Sequence, residues 1–287
     1  MADRKEHASE RDSKKQKKEV TENGEELGVP VEAEFLFNDP EEDDYNGILA
    51  IIQGHLKKVP WEPPKGCEDS TYGLLAQLIS TQPNLGTIIK TEKGEDGEEG
   101  LIMAVLSILN IQMYKMLESI MQPILELAEL HGSQKDLETL KKILSDEKNQ
   151  IGLVVNERLG NIPIQLIGTL HQCVYDDVKW SVENADDDEE REFYKFTHLI
   201  GFGRAYTDKI KTFDSPSMSY LKPEEKFYCE EAIVKFMWST GESGKVDFFD
   251  VDGKPSKSKV LPEAMMLYCV RFERVKQVVQ RISSTFL

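Results

Sequence analysis

Hydrophobic and polar positions change period most sharply between Gln150 and Asp177. Ile151 to Val155 is a short apolar run, rich in β-branched residues and broken only by Gly152, which predicts a buried strand. Asn156, Glu157, Arg158, Gly160 and Asn161 follow as a polar turn. Pro163 has a fixed φ and no N–H, which suits the first turn of a helix. Leu166, Ile167, Leu170 and Val174 then recur at helical spacing and give that helix an apolar face. The unit is strand, turn, helix. Polar groups collect at the carboxyl end of the strand, where α/β proteins often place sites.

The rest of the chain alternates the same two periods. Val31, Ala33, Phe35 and Phe37 alternate with Glu32, Glu34 and Leu36, a half-buried strand. Asp43 or Asp44 can cap the next helix, whose apolar positions are Tyr45, Ile48, Leu49, Ile52 and Leu56. Trp61 to Gly66 is a loop, Tyr72 to Ser80 a short helix, and Thr87 to Lys90 a strand. Leu101 to Leu109 predicts a strongly apolar strand. Asn110 is placed to cap a long helix reaching about Leu130, kinked or divided at Pro123. Ser133 and Asp136 form a capping box for a helix with Leu137, Leu140 and Leu144 on one face.

Beyond the central unit, Phe193 to Phe202 reads as a strand, and Glu224 to Trp238 as a helical turn followed by a strand. Val246 to Val251 and Ala264 to Phe272 are further strands, with a tight turn at Asp252-Gly253. The last helix runs from about Glu273 to Ser284, with Val275, Val278, Val279 and Ile282 inward. Strands and helices interleave without repeats, so the expected class is α/β, with a single mixed sheet covered by helices. Hairpin signals in the C-terminal third make part of that sheet antiparallel. The expected organisation is a disordered charged tail over residues 1–30 and a single α/β domain over 31–287.

Charge adds a direction to this picture. The 287 residues hold 52 Asp and Glu against 35 Lys and Arg, a formal net charge of −17. Such a field repels nucleic-acid phosphates and draws in basic partners. The acid is blocked rather than spread, at Asp39–Asp44, Glu95–Glu99 and Asp186–Glu190. Asp186, Asp187, Asp188, Glu189 and Glu190 are candidate partner contacts, with solvated linkers the alternative. Lys14, Lys15, Lys17 and Lys18 form a compact basic cluster, a candidate nuclear import signal or a plain charged tail. From Glu19 to Asp44 there is no Lys or Arg.

Little catalytic chemistry is visible. There is no GxGxxG after a strand, no P-loop, no GxSxG and no HExxH. Four dispersed cysteines fit reduced thiols, and His171-x-Cys173 reads as core and surface rather than a metal site. No cofactor or metal is expected. No apolar run approaches a membrane span, and the amino terminus has no signal-peptide core, so a soluble intracellular protein is expected. His198 to Ala205 resembles the pyrophosphate motif of GNAT acetyltransferases, but a strand end punctuated by Gly201 and Gly203 accounts for it better. Glu157, Arg158 and Asn161 have two readings: local capping and polar bonds around Pro163, or a partner-docking edge.

The residues from Gly152 to Gln165 (Gly152-Leu153, Asn156-Glu157-Arg158, Asn161-Ile162-Pro163, Gln165) resemble the signature of the BCCIP family. Phe227-Tyr228, Glu230-Glu231-Ala232 and Lys235-Phe236 resemble its second motif, and the order of elements from about residue 30 onward is similar. The resemblance implies a GNAT-like α/β fold without established acetyltransferase activity, and a nuclear location with shuttling to the cytoplasm. It further implies a non-enzymatic role as escort of a basic large-subunit ribosomal protein in ribosome biogenesis and nuclear export. Animal members are also named for cell-cycle and DNA-repair partners, which makes a scaffold the alternative; a GNAT-type acyltransferase is the remaining one. No direct nucleic-acid or membrane partner is expected.

Overall fold

The computed structural model describes residues 34–65, 67, 69–92, 100–213, 215–249 and 255–287. The tail, the Lys14–Lys18 cluster, Glu95–Glu99 and the Asp252-Gly253 turn lie outside them. One eight-stranded sheet organises the chain. Its strands are β1 Phe35–Asn38, β2 Thr87–Thr91, β3 Ile102–Asn110, β4 Ile151–Arg158, β5 His198–Tyr206, β6 Ser219–Tyr220, β7 Val234–Phe249 and β8 Pro255–Arg271. Their order is β1-β2-β3-β4-β5-β8-β7, with β6 paired to β5. Among the described residues only β4 and β5 pair in parallel; every other pair is antiparallel. The sheet is therefore mixed, as expected, and antiparallel well beyond the C-terminal third.

Helices α1 Tyr45–Ile52, α2 Thr71–Thr81, α3 Lys115–Glu118, α4 Met121–His131 and α5 Gln134–Ser145 supply one apolar cluster. Helices α6 Gln165–Glu183, α7 Asp188–Tyr194, α8 Glu225–Glu231 and α9 Phe272–Thr285 supply a second. Strand residues divide between the two by alternation: Leu153 and Val155 pack with α1–α5, Val154 with α6 and α9. With both faces covered, β3 is buried at all nine positions, which is why its sequence is apolar except for Ser107 and Asn110, both hydrogen-bonded. Helix α9 buries Val275, Val278, Val279 and Ile282, each stabilising the fold by about 1.5–3 kcal/mol.

Several expectations need correction. Asp44 does not cap α1. It is buried, 2.5 Å from Lys90 Nζ, and accepts the Glu41 N–H in a capping box one turn earlier. Asn110 ends β3 instead of starting a long helix: its Oδ1 accepts the N–H groups of Gln112 and Met113, and its Nδ2 donates to Gln150 and Phe193. The helix is divided, as one of the two expectations had it, but the break falls between Glu118 and Met121, so Pro123 sits in the first turn of α4, where its missing N–H costs nothing. Residues 193–194 belong to α7, and β5 begins only at His198. The runs at Val234 and Val246 form one continuous strand.

Candidate functional site

The parallel ladder between β4 and β5 ends at Val154 opposite Gly201, although β4 continues to Arg158. The carbonyls beyond that point need other donors. His55, just after α1, approaches the Val154 carbonyl through Nε2 at 3.2 Å, and the Lys222 ammonium donates to the Asn156 carbonyl. Both then converge on Glu157, with His55 Nδ1 3.1 Å and Lys222 Nζ 2.9 Å from its Oε1. Arg158 and Asn156 point to the other face of the sheet, where the Arg158 guanidinium and Asn156 Nδ2 share Glu224 Oε1. Lys222 also lies 3.1 Å from Glu225. Seven polar side chains thus wrap the end of β4 and tie the two faces together. All are buried or nearly so; Glu224 and Glu225 are 0% exposed.

Burial alone would raise the Glu157 carboxyl, but the Lys222 ammonium and the His55 hydrogen bond outweigh it and hold it at about 2. Lys222 stays charged, because Glu157 and Glu225 more than offset its own desolvation. Burial likewise opposes ionisation of Glu224, and Arg158 reverses the sign. Glu225 is different. Desolvation pushes its carboxyl up to about 7 despite Lys222, helped by the charges on Glu224 and Glu157. Its Oε1 faces only the Lys222 ammonium, at 3.1 Å, and its Oε2 accepts no hydrogen bond. Burial also holds His55 below its ordinary value and drives His171 down to about 4. At neutral pH the cluster is close to electrically balanced.

His171 is fully interior, with Nδ1 2.9 Å from the Tyr228 hydroxyl and no partner at Nε2. Cys173 is buried as well, so neither member of that pair reaches the surface. Among the described residues no group of three or more His, Cys, Asp or Glu could hold a metal ion. The cavity beside His171 and Tyr228 measures about 10 Å³, barely room for one water. The crevice at the carboxyl ends of the parallel strands, the usual ligand site of an open α/β sheet, is here filled by side chains.

Gly201 and Gly203 belong to this packing. A Cβ at Gly201 would overlap the Tyr268 ring, and one at Gly203 would overlap the Glu225 carboxylate. His198 to Ala205 is an extended strand in register with β8 from Arg271 to Ala264, and no helix begins after it. The likeness to a pyrophosphate motif therefore has no helix N-terminus behind it, and the strand reading stands.

The candidate contact residues of the sequence fall in two places. The side chains of Glu157 and Arg158 lie inside, bound to His55, Lys222 and Glu224. Asn161 is exposed, but it does not cap α6, whose first turn follows Ile164 without a side-chain cap. Asp186, Asp187, Asp188 and Glu189 are exposed, and Glu190 half-exposed. Asp187 caps α7 through the Glu190 N–H at 2.8 Å, Glu190 accepts the Asp186 N–H at 2.7 Å, and Asp188 pairs with Arg191. Helix α7 sits at the end of the sheet where β4 begins, since Asn110 pairs with Gly152 and donates to Phe193. The two groups are separated by about the length of β4, roughly 23 Å.

One surface feature escaped the sequence. Trp180 on α6 is 41% exposed. Asp176 and Glu183 lie one helical turn to either side of it, and both are exposed. From Glu183 to Glu192 the chain carries seven carboxylates against one arginine. An apolar ring rimmed by carboxylates can take a cation on its face while the acids hold its hydrogens.

Comparison with known proteins agrees with this architecture. The BCCIP family model matches residues 30–234. "Protein BCCIP homolog" of Arabidopsis thaliana is 23% identical over 72% of this chain and 62% of its own length. "Protein bcp1" of Schizosaccharomyces pombe is 23% identical over 82% of this chain and 81% of its own. "BRCA2 and CDKN1A-interacting protein" of Mus musculus is 27% identical over 82% and 78%. The crystal structure of BCP1 from Saccharomyces cerevisiae superposes with a TM-score of 0.56 at 18% identity, covering 91% of this chain and 93% of that one, a likeness of fold. With the family model matching residues 30–234, more than half of its length, the chain belongs to the BCCIP family.

Proposed function

We propose that the protein is a non-enzymatic nuclear binding factor that escorts a basic large-subunit ribosomal protein during ribosome production and export. The observation that carries this reading is where the charge lies. The buried cluster is nearly balanced, so among the described residues the acidic blocks lie outside it. Asp39, Glu41, Glu42, Asp43 and Asp186–Asp188 are exposed. Dense surface acid suits a cationic, aggregation-prone client, raising the encounter rate and shielding its charge until hand-over. Exposed pairs contribute only about 0–1 kcal/mol each, so an apolar anchor is also needed, and Trp180 is placed to serve.

The printed name of the mouse relative favours a second reading, a scaffold for cell-cycle and DNA-repair proteins. The two readings differ in salt dependence. Titrating a purified basic ribosomal protein against the full chain at rising salt separates them. The escort reading expects affinity that falls steeply with salt and falls further when Asp186–Glu190 are neutralised; binding indifferent to both overturns it.

A further inference from the structure

We infer that the sheet binds a small zwitterion, of the α-amino acid class, between Arg204 of β5 and Glu263 of β8. Arg204 stands opposite Met265 on β8, and Met265 stands opposite Trp238 on β7. Glu263 lies two residues from Met265 along β8. It is therefore the diagonal neighbour of both Arg204 and Trp238, and all four share the sheet face covered by α1–α5. Trp238 and Glu263 are each 5% exposed. The Trp238 indole N–H and Glu263 Oε1 are buried and have no hydrogen-bond partner among the described residues. Arg204 is half-buried, with its guanidinium beside Gly54. Its side chain makes no hydrogen bond or ion pair among the described residues.

These three groups are chemically complementary. A buried donor or acceptor left unmet costs its full desolvation, and native folds leave few. Diagonal Cβ atoms on a sheet are about 7 Å apart, within reach of a direct Arg204–Glu263 pair. Each turns elsewhere instead: Glu263 Oε2 accepts the Tyr206 hydroxyl at 3.4 Å, and Arg204 lies over the chain after α1. Opposite Glu263, β7 inserts a bulge of Thr240, Gly241 and Glu242, and the space around Gly241 is open. Thr240 Oγ1 donates to the Glu263 carbonyl, and Glu242 pairs with Lys57, which ties the bulge to the end of α1. Lys57 and Glu242 offset each other, so Arg204 and Glu263 are the charges left to a ligand. An anion alone would leave Glu263 uncompensated, and a cation alone would lie against Arg204. A zwitterion meets both. Its carboxylate takes the Arg204 fork and the indole N–H, and its ammonium takes Glu263 Oε1. This site is independent of the escort reading.

Melting of the full chain with each standard α-amino acid tests this. At about 10 mM ligand, a site with a dissociation constant of about 0.1 mM raises the melting temperature by a few degrees. At least one amino acid should do so. Its methyl ester, which lacks the carboxylate, and its N-acetyl form, which lacks the ammonium, should each bind at least about tenfold more weakly in calorimetric titration. Arg204→Met and Glu263→Gln should weaken binding to a similar degree, and the ¹H–¹⁵N indole signal of Trp238 should shift as the site fills. The ester and the acetyl form probe the same charges without altering the fold. No rise with any amino acid overturns the inference, the unmet groups then holding ordered water only. Equal binding of the ester and the acetyl form overturns it as well. So does binding that leaves the Trp238 indole signal in place, because the ligand then sits elsewhere.

Discussion

Glu225 offers the sharpest test of the buried cluster. It is fully buried, beside Lys222, in a space kept open by Gly203, and desolvation raises its carboxyl from an ordinary 4.5 to about 7. A folded-state value above the unfolded one means that the folded protein holds the proton more tightly. Its stabilising contribution is fully present below about pH 4.5 and is lost as pH rises through about 7. At about 1.4 kcal/mol per unit, a shift of this size amounts to about 3 kcal/mol, with no discount for solvent. Glu225→Gln keeps the shape and removes the titration. The stability difference, variant minus parent, should therefore rise by about 3 kcal/mol between pH 4.5 and pH 8. Other titrations cancel in that difference. Urea unfolding of both proteins at pH 4.5, 6 and 8 reads it. With a slope of about 3 kcal/mol/M for a chain this long, the midpoint gap should move by about 1 M. A gap that stays constant, or moves the other way, would refute a buried carboxyl that ionises only near neutrality.

Other outcomes follow from neighbouring residues. Lys222→Met should destabilise the fold by about 3–5 kcal/mol, seen in denaturant unfolding, because Glu157 and Glu225 lose their buried cation. Gly203→Ala should cost about 1–3 kcal/mol or more by thermal melting, since its Cβ meets the Glu225 carboxylate, and Glu225→Ala in the same chain should recover part of that loss. Replacing Asp186, Asp188 and Glu189 by their amides should weaken a basic partner and flatten the salt dependence, leaving stability within about 0.5 kcal/mol; adding Asp187→Ala should cost about 1 kcal/mol through the lost cap of α7. Trp180→Ala should weaken the same partner about tenfold in a binding titration without lowering the melting temperature by more than a few degrees.

Periodicity carried most of the fold. The run from Ile151, the spacing of Leu137 and Leu140, and Val275 to Ile282 each declared an element, because burial on one or both faces leaves its period in the sequence. Ser133 and Asp136 declared a cap for the same local reason: the capping box closes within four residues. What misled was polar chemistry used over long distances. Asn110 looked like a helix cap, and its hydrogen bonds instead reach Gln150 and Phe193. Lys222 reads in sequence as part of a loop and Glu224 and Glu225 as the start of a helical turn, and nothing local shows that they close over the end of β4, 65 residues or more away from Glu157. His55 is equally silent. The one available signal was the pairing of charged Glu157-Arg158 with an apolar strand, which placed polar groups at its end without naming their partners. Trp180 was missed because one aromatic on an amphipathic helix carries no mark of exposure until the helix is docked.

The escort reading is tested most directly by recovering the tagged full chain from nuclear extract at low and high salt and identifying by mass spectrometry what accompanies it. The account predicts one basic ribosomal protein, abundant at low salt and lost at high salt, and lost at both when Asp186–Glu190 are neutralised. Recovery of cell-cycle or DNA-repair proteins that resist high salt, with no basic ribosomal protein, would contradict it.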